Sequence, residues 1–522
     1  MAKEIEEELG LPFFSRDSTK LFIDQLAHVE SLSIFPGAGV TIDKTGLSWG
    51  ALVAQLLEPG RDRQNAETLV RALGAQLAGS VAVQKYIDAH GTALDERGVP
   101  AWRRAIGGDL RGMLYAKGGL IGGRLSEAIG VLWVQLAKKR YPVSLLTTNF
   151  EEYIERDIRE AITIWSRDLQ NGTPTDKSPA ELAAEADALA DVELESLVLY
   201  LHGIVREDGP IQDLVISERD YFERATAVQQ ALVPEFGTKN VLIIGSSLTD
   251  RPLLNALLES REDAEARGLK RYAVIPRLDL GALDNSPESA SIIRGYTTRL
   301  RHLGVEGAFV DHYSQVAQLL TEVGVAATLP VGSYKSSRKR YGERLRRWWE
   351  DWFSAIEAPE NFKEIQESHH GELVKCLSDV KRRLGDPNEE LRLELWLRWN
   401  PTDRGNLVLR LWASSYARFS AWEQTRDEAI ASESRFASVN ALCEGRVLYE
   451  QNRDASTRWK SFLAFPLEPD RREEIIPGAM VLSSMTGGED SCLSEERRGR
   501  HPSAVQEALK CGAALTAVPI RG

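Results

Sequence analysis

The 522-residue chain has little cysteine: Cys376, Cys443, Cys492 and Cys511 are the four, all in the last third and none in a two-residue pairing. Such spacing supports neither a zinc clip nor a disulfide framework, and its plain reading is buried or incidental thiols in a reducing compartment. No uncharged apolar run reaches the ~18 residues that a membrane-crossing helix needs. The acidic start, Met1 to Leu11, lacks the apolar core and small-residue cleavage site of a secretory signal, so a cytoplasmic location away from membranes is expected. Positive charge is in deficit too. With 64 Lys and Arg against 77 Asp and Glu, the net charge is −13, which repels phosphodiester backbones and makes nucleic acid an unexpected partner. What is present, 43% hydrophobic and 27% charged residues, is ordinary globular usage in a chain too long for one core; two domains are expected.

The hydrophobic pattern divides the chain near Pro330. Before it, a helix with Leu21, Phe22, Leu26 and Ala27 leads to a short strand, Ser31 to Pro36, then Gly37-Ala38-Gly39 and a helix carrying Leu52, Val53, Leu56 and Leu57. Apolar runs at Val143–Leu146, Leu197–Leu201, Leu214–Ile216, Val241–Ile244 and Tyr272–Ile275 read as buried strands. Helical stretches at Arg124–Lys138, Glu218–Leu232 and Arg251–Glu262 separate most of them. That alternation predicts an α/β, Rossmann-like doubly wound parallel sheet over residues 1–330. Two interruptions, Glu67–Leu120 and Asn171–Glu195, read as helical insertions or cap elements. Residues 331–360 read as a linker helix in which Arg338, Lys339, Arg340, Arg344, Arg346 and Arg347 stand beside Trp348, Trp349 and Trp352. Contact with an anionic surface is one use for such a helix; packing of its tryptophans against a neighbouring domain is the favoured one. Beyond it the period becomes two, with Leu391, Leu393, Leu395 and Leu397, then Leu407, Leu409 and Leu411. Adding helices Arg435–Tyr449 and Pro502–Ala513 and strands Ser461–Pro466 and Gly478–Ser484 makes residues 361–522 an α+β domain.

Four polar clusters follow predicted strands: Gly37-Ala38-Gly39-Val40-Thr41, Thr147-Thr148-Asn149-Phe150-Glu151, His202-Gly203, and Gly245-Ser246-Ser247-Leu248-Thr249-Asp250. Each alone has a bland reading. A Gly-x-Gly is commonly a tight turn, and the third glycine of the dinucleotide fingerprint is missing. Asn149, Glu151 and the serines suit helix starts, and His202 suits a carbonyl at a strand end. Together they would converge, because the carboxyl ends of the strands in an open parallel sheet form its ligand crevice.

The ordered set resembles the sirtuin-like superfamily over roughly the first 330 residues. The resemblance implies that Gly37, Ala38 and Gly39 line the diphosphate of NAD and that Ser246 and Ser247 hold its adenosine side, with Val40, Thr41, Thr148, Glu151 and Gly245 also in the NAD site. It implies that Asn149 contacts the nicotinamide-side ribose and that His202 is the base; no metal is expected. Glu151 stands where the family usually has aspartate. Sirtuin deacylases carry a four-cysteine zinc module and an Asp-Phe-Arg element, whereas here no cysteine precedes Cys376, and Gly46-Leu47 is followed by Ser48-Trp49-Gly50. The sequence is similar instead to the branch found in prokaryotic anti-phage systems, which implies hydrolysis of NAD to nicotinamide and ADP-ribose. The chemistry suits these residues, because nicotinamide leaves as a neutral molecule and the oxocarbenium-like ribose needs holding, charge stabilisation and water. The alternatives are a non-catalytic module sensing NAD or ADP-ribose and, further off, a deacylase or ADP-ribosyl transferase.

In the last third, Ser456–Leu467 followed by Ile476–Ser484 resembles the central hairpin of a GAF domain. That implies a sensor or dimerisation module regulating the enzyme through an activating ligand or protein, and self-association into a homo-oligomer is expected.

Overall fold

The structure, a computed structural model, describes residues 8–9, 11–58, 63–96, 98–115, 124–170, 181–182, 185–186, 189, 197–209, 211–282, 286–356, 358–400, 408–432, 434–452, 457–467, 475–494, 497 and 500–517. Most of Asn171–Glu195, the end of the first helical block at Leu120, and Leu407 lie outside them.

The first part runs α1 (Asp17–Ala27), β1 (Leu32–Pro36), α2 (Ile42–Thr45), α3 (Trp49–Leu57), α4 (Arg63–Leu73), α5 (Ala75–His90), α6 (Ala101–Leu114), α7 (Leu125–Ala137), β2 (Val143–Thr147), α8 (Tyr153–Gln170) and β3 (Val198–Tyr200). It continues with β4 (Ile204–Val205), β5 (Ile211–Gln212), α9 (Glu218–Thr238), β6 (Asn240–Ile244), α10 (Arg251–Glu259), α11 (Arg261–Ala266), β7 (Arg271–Pro276), α12 (Pro287–His302), β8 (Glu306–Val310) and α13 (Ser314–Ala327). Six strands form a parallel sheet in the order β3-β2-β1-β6-β7-β8. Neighbouring residues of a strand serve opposite faces, as the pleat requires. Ile34, Leu145 and Leu242 pack with α1, α7 and α13, while Phe35, Leu146 and Ile243 pack with α9, α10 and α12. Both faces are covered, which is why these strands read as continuous apolar runs. This is the α/β, Rossmann-like fold, and its order reverses between β1 and β6.

The block α4–α6 is a cap. With Leu52 and Leu56 of α3 it closes a core of its own around Phe150, Val205 and Ile216, residues that follow β2 and β3. Two details depart from expectation. Leu214–Ile216 is buried but is not a strand; Asp213 takes a left-handed φ of 48°, and Val215 bonds only the His202 carbonyl, at 3.0 Å, so burial here comes without a ladder. The helix expected to end at Glu262 breaks at Ser260 into α10 and α11.

The last part comprises α14 (Tyr341–Ala355), α15 (Ala358–Leu384), β9 (Leu391–Arg398), β10 (Val408–Ser414), β11 (Arg426–Ala429), α16 (Ala437–Glu444), β12 (Leu448–Gln451), β13 (Ser461–Pro466), β14 (Gly478–Ser484) and α17 (His501–Thr516). Its six strands are antiparallel in the order β11-β10-β9-β14-β13-β12. Leu391, Leu393, Leu395 and Leu397 face α14, α15 and α17, whereas Trp396 faces α16. The helix expected over Arg435–Tyr449 stops at Glu444. Gly445 takes φ +71°, which a glycine adopts without a steric penalty, and the chain then extends into β12.

Helix α14 joins the two parts. Trp348 and Trp352 are buried, and their indole N–H groups donate to the Thr516 and Leu515 carbonyls at the end of α17, at 3.1 and 3.0 Å. Toward the parallel sheet, the fully buried Glu322 of α13 accepts from Arg344 at 2.6 Å, from the Tyr341 amide at 2.8 Å and from the Tyr334 hydroxyl. Among the described residues no helix is long and apolar enough to cross a membrane.

Trp352 also meets Trp412 edge to face at 5.3 Å. Trp352→Ala is expected to cost about 3–5 kcal/mol in urea unfolding followed by circular dichroism. Phe222→Ala, on a side chain that is 75% exposed, is expected to stay within about 0.5 kcal/mol.

Candidate functional site

At the switch between β1 and β6, the turns that follow the two strands nest. The Gly37 amide donates to the Ile244 carbonyl at 2.8 Å and the Gly39 amide to the Gly245 carbonyl at 2.9 Å. A β-carbon on Gly37 would lie 2.6 Å from the Gly245 oxygen, and one on Gly39 2.9 Å from the Gly245 Cα. Gly245 itself takes φ +64°, and a β-carbon there would lie 2.7 Å from the Val40 nitrogen. Glycine is therefore demanded at all three places by backbone meeting backbone, which also leaves a floor free of side chains.

Above that floor opens a cleft of about 1670 Å³, larger than the ~300–1,000 Å³ of most small-molecule sites. Gly37, Ala38, Gly39, Thr41, Thr148, Asn149, Glu151, His202, Gly245, Ser246 and Ser247 all line it. Val40 does not; its side chain is fully buried in the core beneath the turn. The structure thus brings together residues from four strand ends that lie far apart in the chain.

Two polar groups organise the walls. In the first, the Thr147 hydroxyl donates to the Pro36 carbonyl at 2.6 Å and accepts from the Asn149 amide at 3.0 Å, tying β2 to β1. The Asn149 side-chain NH2 donates to the Thr41 hydroxyl at 3.3 Å, which in turn donates to Glu151 at 2.5 Å. Burial pushes the Glu151 carboxyl up, against the bonds from Thr41 and Asn149 that favour its charge. The side-chain oxygen of Asn149 is buried with no partner. Glu151 uses its reach on Thr41.

In the second, His202 Nε2 lies 3.9 Å from Asp250, and the Tyr221 ring stands edge-on to the imidazole at 5.0 Å while its hydroxyl donates to the same carboxylate. Asp250 also caps α10 by accepting from the Leu253 amide at 3.1 Å. Burial pushes the His202 value down and Asp250 holds it up, so burial favours the neutral imidazole, the form that can accept a proton. Ser246 accepts from the Leu248 amide at 3.2 Å, and Ser247 and Thr249 share a bond at 2.7 Å, so both serines shape their own turn at the rim.

Sequence reasoning missed several lining residues. Tyr221 and Asp250 stand within stretches already singled out. Asp43, four residues past the glycine turn, has an unpartnered buried oxygen, and burial pushes its carboxyl up to about 6. Glu444, Gly445, Arg446 and Ile476 reach the cleft from the antiparallel-sheet part, and no sequence signal connects them to it. Gly445 sits so close to α13 that a β-carbon would lie 3.0 Å from the Ser314 side chain. Among the described residues no group of three or more His, Cys, Asp or Glu is placed to hold a metal ion.

Comparison with known proteins matches residues 143–299 to the family described as SIR2-like domain. That stretch runs from β2 into α12 and contains Asn149, His202, Ser246 and Asp250; the first glycine turn lies upstream of it. SIR2-like domains bind NAD, so the match points to an NAD-related activity. No curated protein matches the chain.

The His202 value lies below its ordinary 6.5. As pH falls the unfolded chain therefore takes the proton first, and the neutral form's contribution to stability, present above about 6.5, is lost as pH drops toward the folded value. Imidazole NMR is expected to give a midpoint below 6.5, falling further in Asp250→Asn; a wild-type midpoint at or above 6.5 contradicts the burial argument. Gly245→Ala combines left-handed strain with overlap and is expected to cost about 2–4 kcal/mol in urea unfolding.

Proposed function

We propose, from the SIR2-like match and the cleft together, that this chain is an NAD glycohydrolase that cleaves the nicotinamide–ribose bond to give nicotinamide and ADP-ribose. The observation that carries the reading is the orphaned Asn149 oxygen: a buried acceptor in a glycine-floored cleft needs a donor, and a ribose hydroxyl supplies one. The three glycines keep the floor free of side chains, which leaves room for a diphosphate. His202, held neutral by burial, takes a proton from a ribose hydroxyl or from the attacking water. Asp250 and Tyr221 orient it. Asn149 positions ribose and water as positive charge develops on the sugar.

The antiparallel-sheet part acts in this reading as a GAF-like sensor that restrains the enzyme, with anti-phage defence by NAD depletion as its biological setting. Its β13–β14 hairpin and the reach of Glu444–Arg446 and Ile476 into the cleft support that role. Arg446 bears electrostatically on Asp43 and Tyr313 across the mouth, so a shift of the sensor would be felt by both.

Purified protein given NAD is expected to release nicotinamide and ADP-ribose, with His202→Ala and Asn149→Ala each slower by about 10²-fold or more. Equal turnover in all three would remove these roles; stoichiometric binding without turnover would make the chain an NAD-sensing module instead. Arg446→Ala, which strips the sensor's cation from the mouth, is expected to raise basal release about fivefold or more. Unchanged basal release would take the 444–446 turn out of the restraint.

A further inference from the structure

Helices α15 and α17, which back the antiparallel sheet, pack against each other, and each carries a cysteine at the contact. The Cys376 thiol of α15 lies 3.9 Å from the Glu507 carbonyl of α17, and the Cys511 thiol of α17 lies 3.9 Å from the Glu372 carbonyl of α15. Glu372 stands one turn before Cys376, and Glu507 one turn before Cys511. Each sulfur therefore reaches across to the turn that precedes the other, which is possible only where antiparallel helices set the two sulfurs face to face. The Arg383–Glu507 ion pair at 2.7 Å continues the same register. The two thiols also act on each other electrostatically. Cys443 and Cys492 have no such neighbour: Cys443, on α16, packs in the core with Trp396 and Leu409 of the sheet, and the Cys492 amide is held by Glu389 at 2.7 Å.

The two sulfurs differ in character. Cys376 is buried, whereas Cys511 is partly exposed. The interaction between them, with burial, pushes the Cys376 thiol up. The same interaction draws the Cys511 thiol down, against burial and the carboxylates of Glu372 and Glu507. A more accessible thiol drawn toward ionisation beside a protected one is the arrangement in which one sulfur is oxidised and the other resolves it.

We propose that Cys511 and Cys376 are a modification site at which a hydroperoxide forms a disulfide, stapling α17 to α15. The Cys511 thiolate attacks the terminal peroxide oxygen; the O–O bond breaks, the departing hydroxide or alkoxide takes up a proton and leaves as water or alcohol, and Cys511 becomes a sulfenic acid. The Cys376 sulfur then attacks the Cys511 sulfur. The S–S bond forms, the S–O bond breaks, and the thiol proton leaves with the hydroxyl as water. In sum, two thiols give up two electrons and two protons, and one hydroperoxide becomes an alcohol, or water, plus water. The staple secures the helix whose last carbonyls hold Trp348 and Trp352, and so the side of the sheet where α14 enters.

The test treats the full chain with hydrogen peroxide, alkylates the remaining thiols and maps non-reduced peptides by mass spectrometry. The expected result is a linked peptide pair containing Cys376 and Cys511, reversed by dithiothreitol, with Cys443 and Cys492 still alkylated. In Cys376→Ser the reaction is expected to stop at a sulfenic acid on Cys511 that dimedone traps, and in Cys511→Ser no other cysteine is expected to oxidise. The proposal fails if Cys511 oxidises in the wild-type chain while Cys376 stays alkylatable, if Cys511 cross-links to a second chain, or if Cys376 oxidises equally well in Cys511→Ser. The wild-type mapping decides the matter without either variant and without reference to NAD turnover.

Discussion

Backbone touching backbone at the switch between β1 and β6 is the constraint from which the cleft follows. Gly37, Gly39 and Gly245 sit within a few ångströms of one another, and the amides of the first turn bond carbonyls at the end of β6 and in the second turn. A side chain at any of the three would prise the turns apart, and with them the two strands whose divergence makes the crevice. The same contact places Thr41 where it can reach Glu151 and Asn149, so β2 is registered through side chains to a turn already fixed through main chain.

Burial then acts on two titratable groups from opposite directions. It disfavours the imidazolium of His202 and the carboxylate of Glu151 alike, one pushed down and the other up. Thr41 and Asn149 answer part of that cost at Glu151, and Asp250 answers part of it at His202. At both groups burial thus works against charge, and the neighbouring polar groups work against burial.

Much of this was legible in the residues. Unbroken apolar runs located β1, β2, β6 and β7, and the polar clusters after them located the cleft, because a parallel sheet sends all its carboxyl ends to one side. β8 was not read as a strand: Glu306 and Gly307 interrupt its pattern at an edge where one neighbour suffices. Leu214–Ile216 misled because burial without pairing looks like a strand in composition. Gly445 ended a helix that apolar spacing alone would have carried to Tyr449. Val40 was assigned to the ligand as part of a glycine run, yet its side chain packs in the core beneath the turn. Electrostatic influences such as that of Arg446 on Asp43, about four hundred residues apart, leave no local trace at all, for each residue taken alone reads as an ordinary charge.

Glu322 bears on where the molecule divides. Sequence rhythm puts the seam near Pro330, yet Tyr334, Tyr341 and Arg344, which join Gln318 in satisfying this fully buried carboxylate, all come after it. A fragment ending at the rhythmic seam would leave this carboxylate with Gln318 but without its counter-charge, at a cost of about 3–5 kcal/mol. The stretch that reads as a connector is thus the counter-charge of the domain it leaves, and the parallel-sheet half is electrically whole only once the chain has begun to build the other.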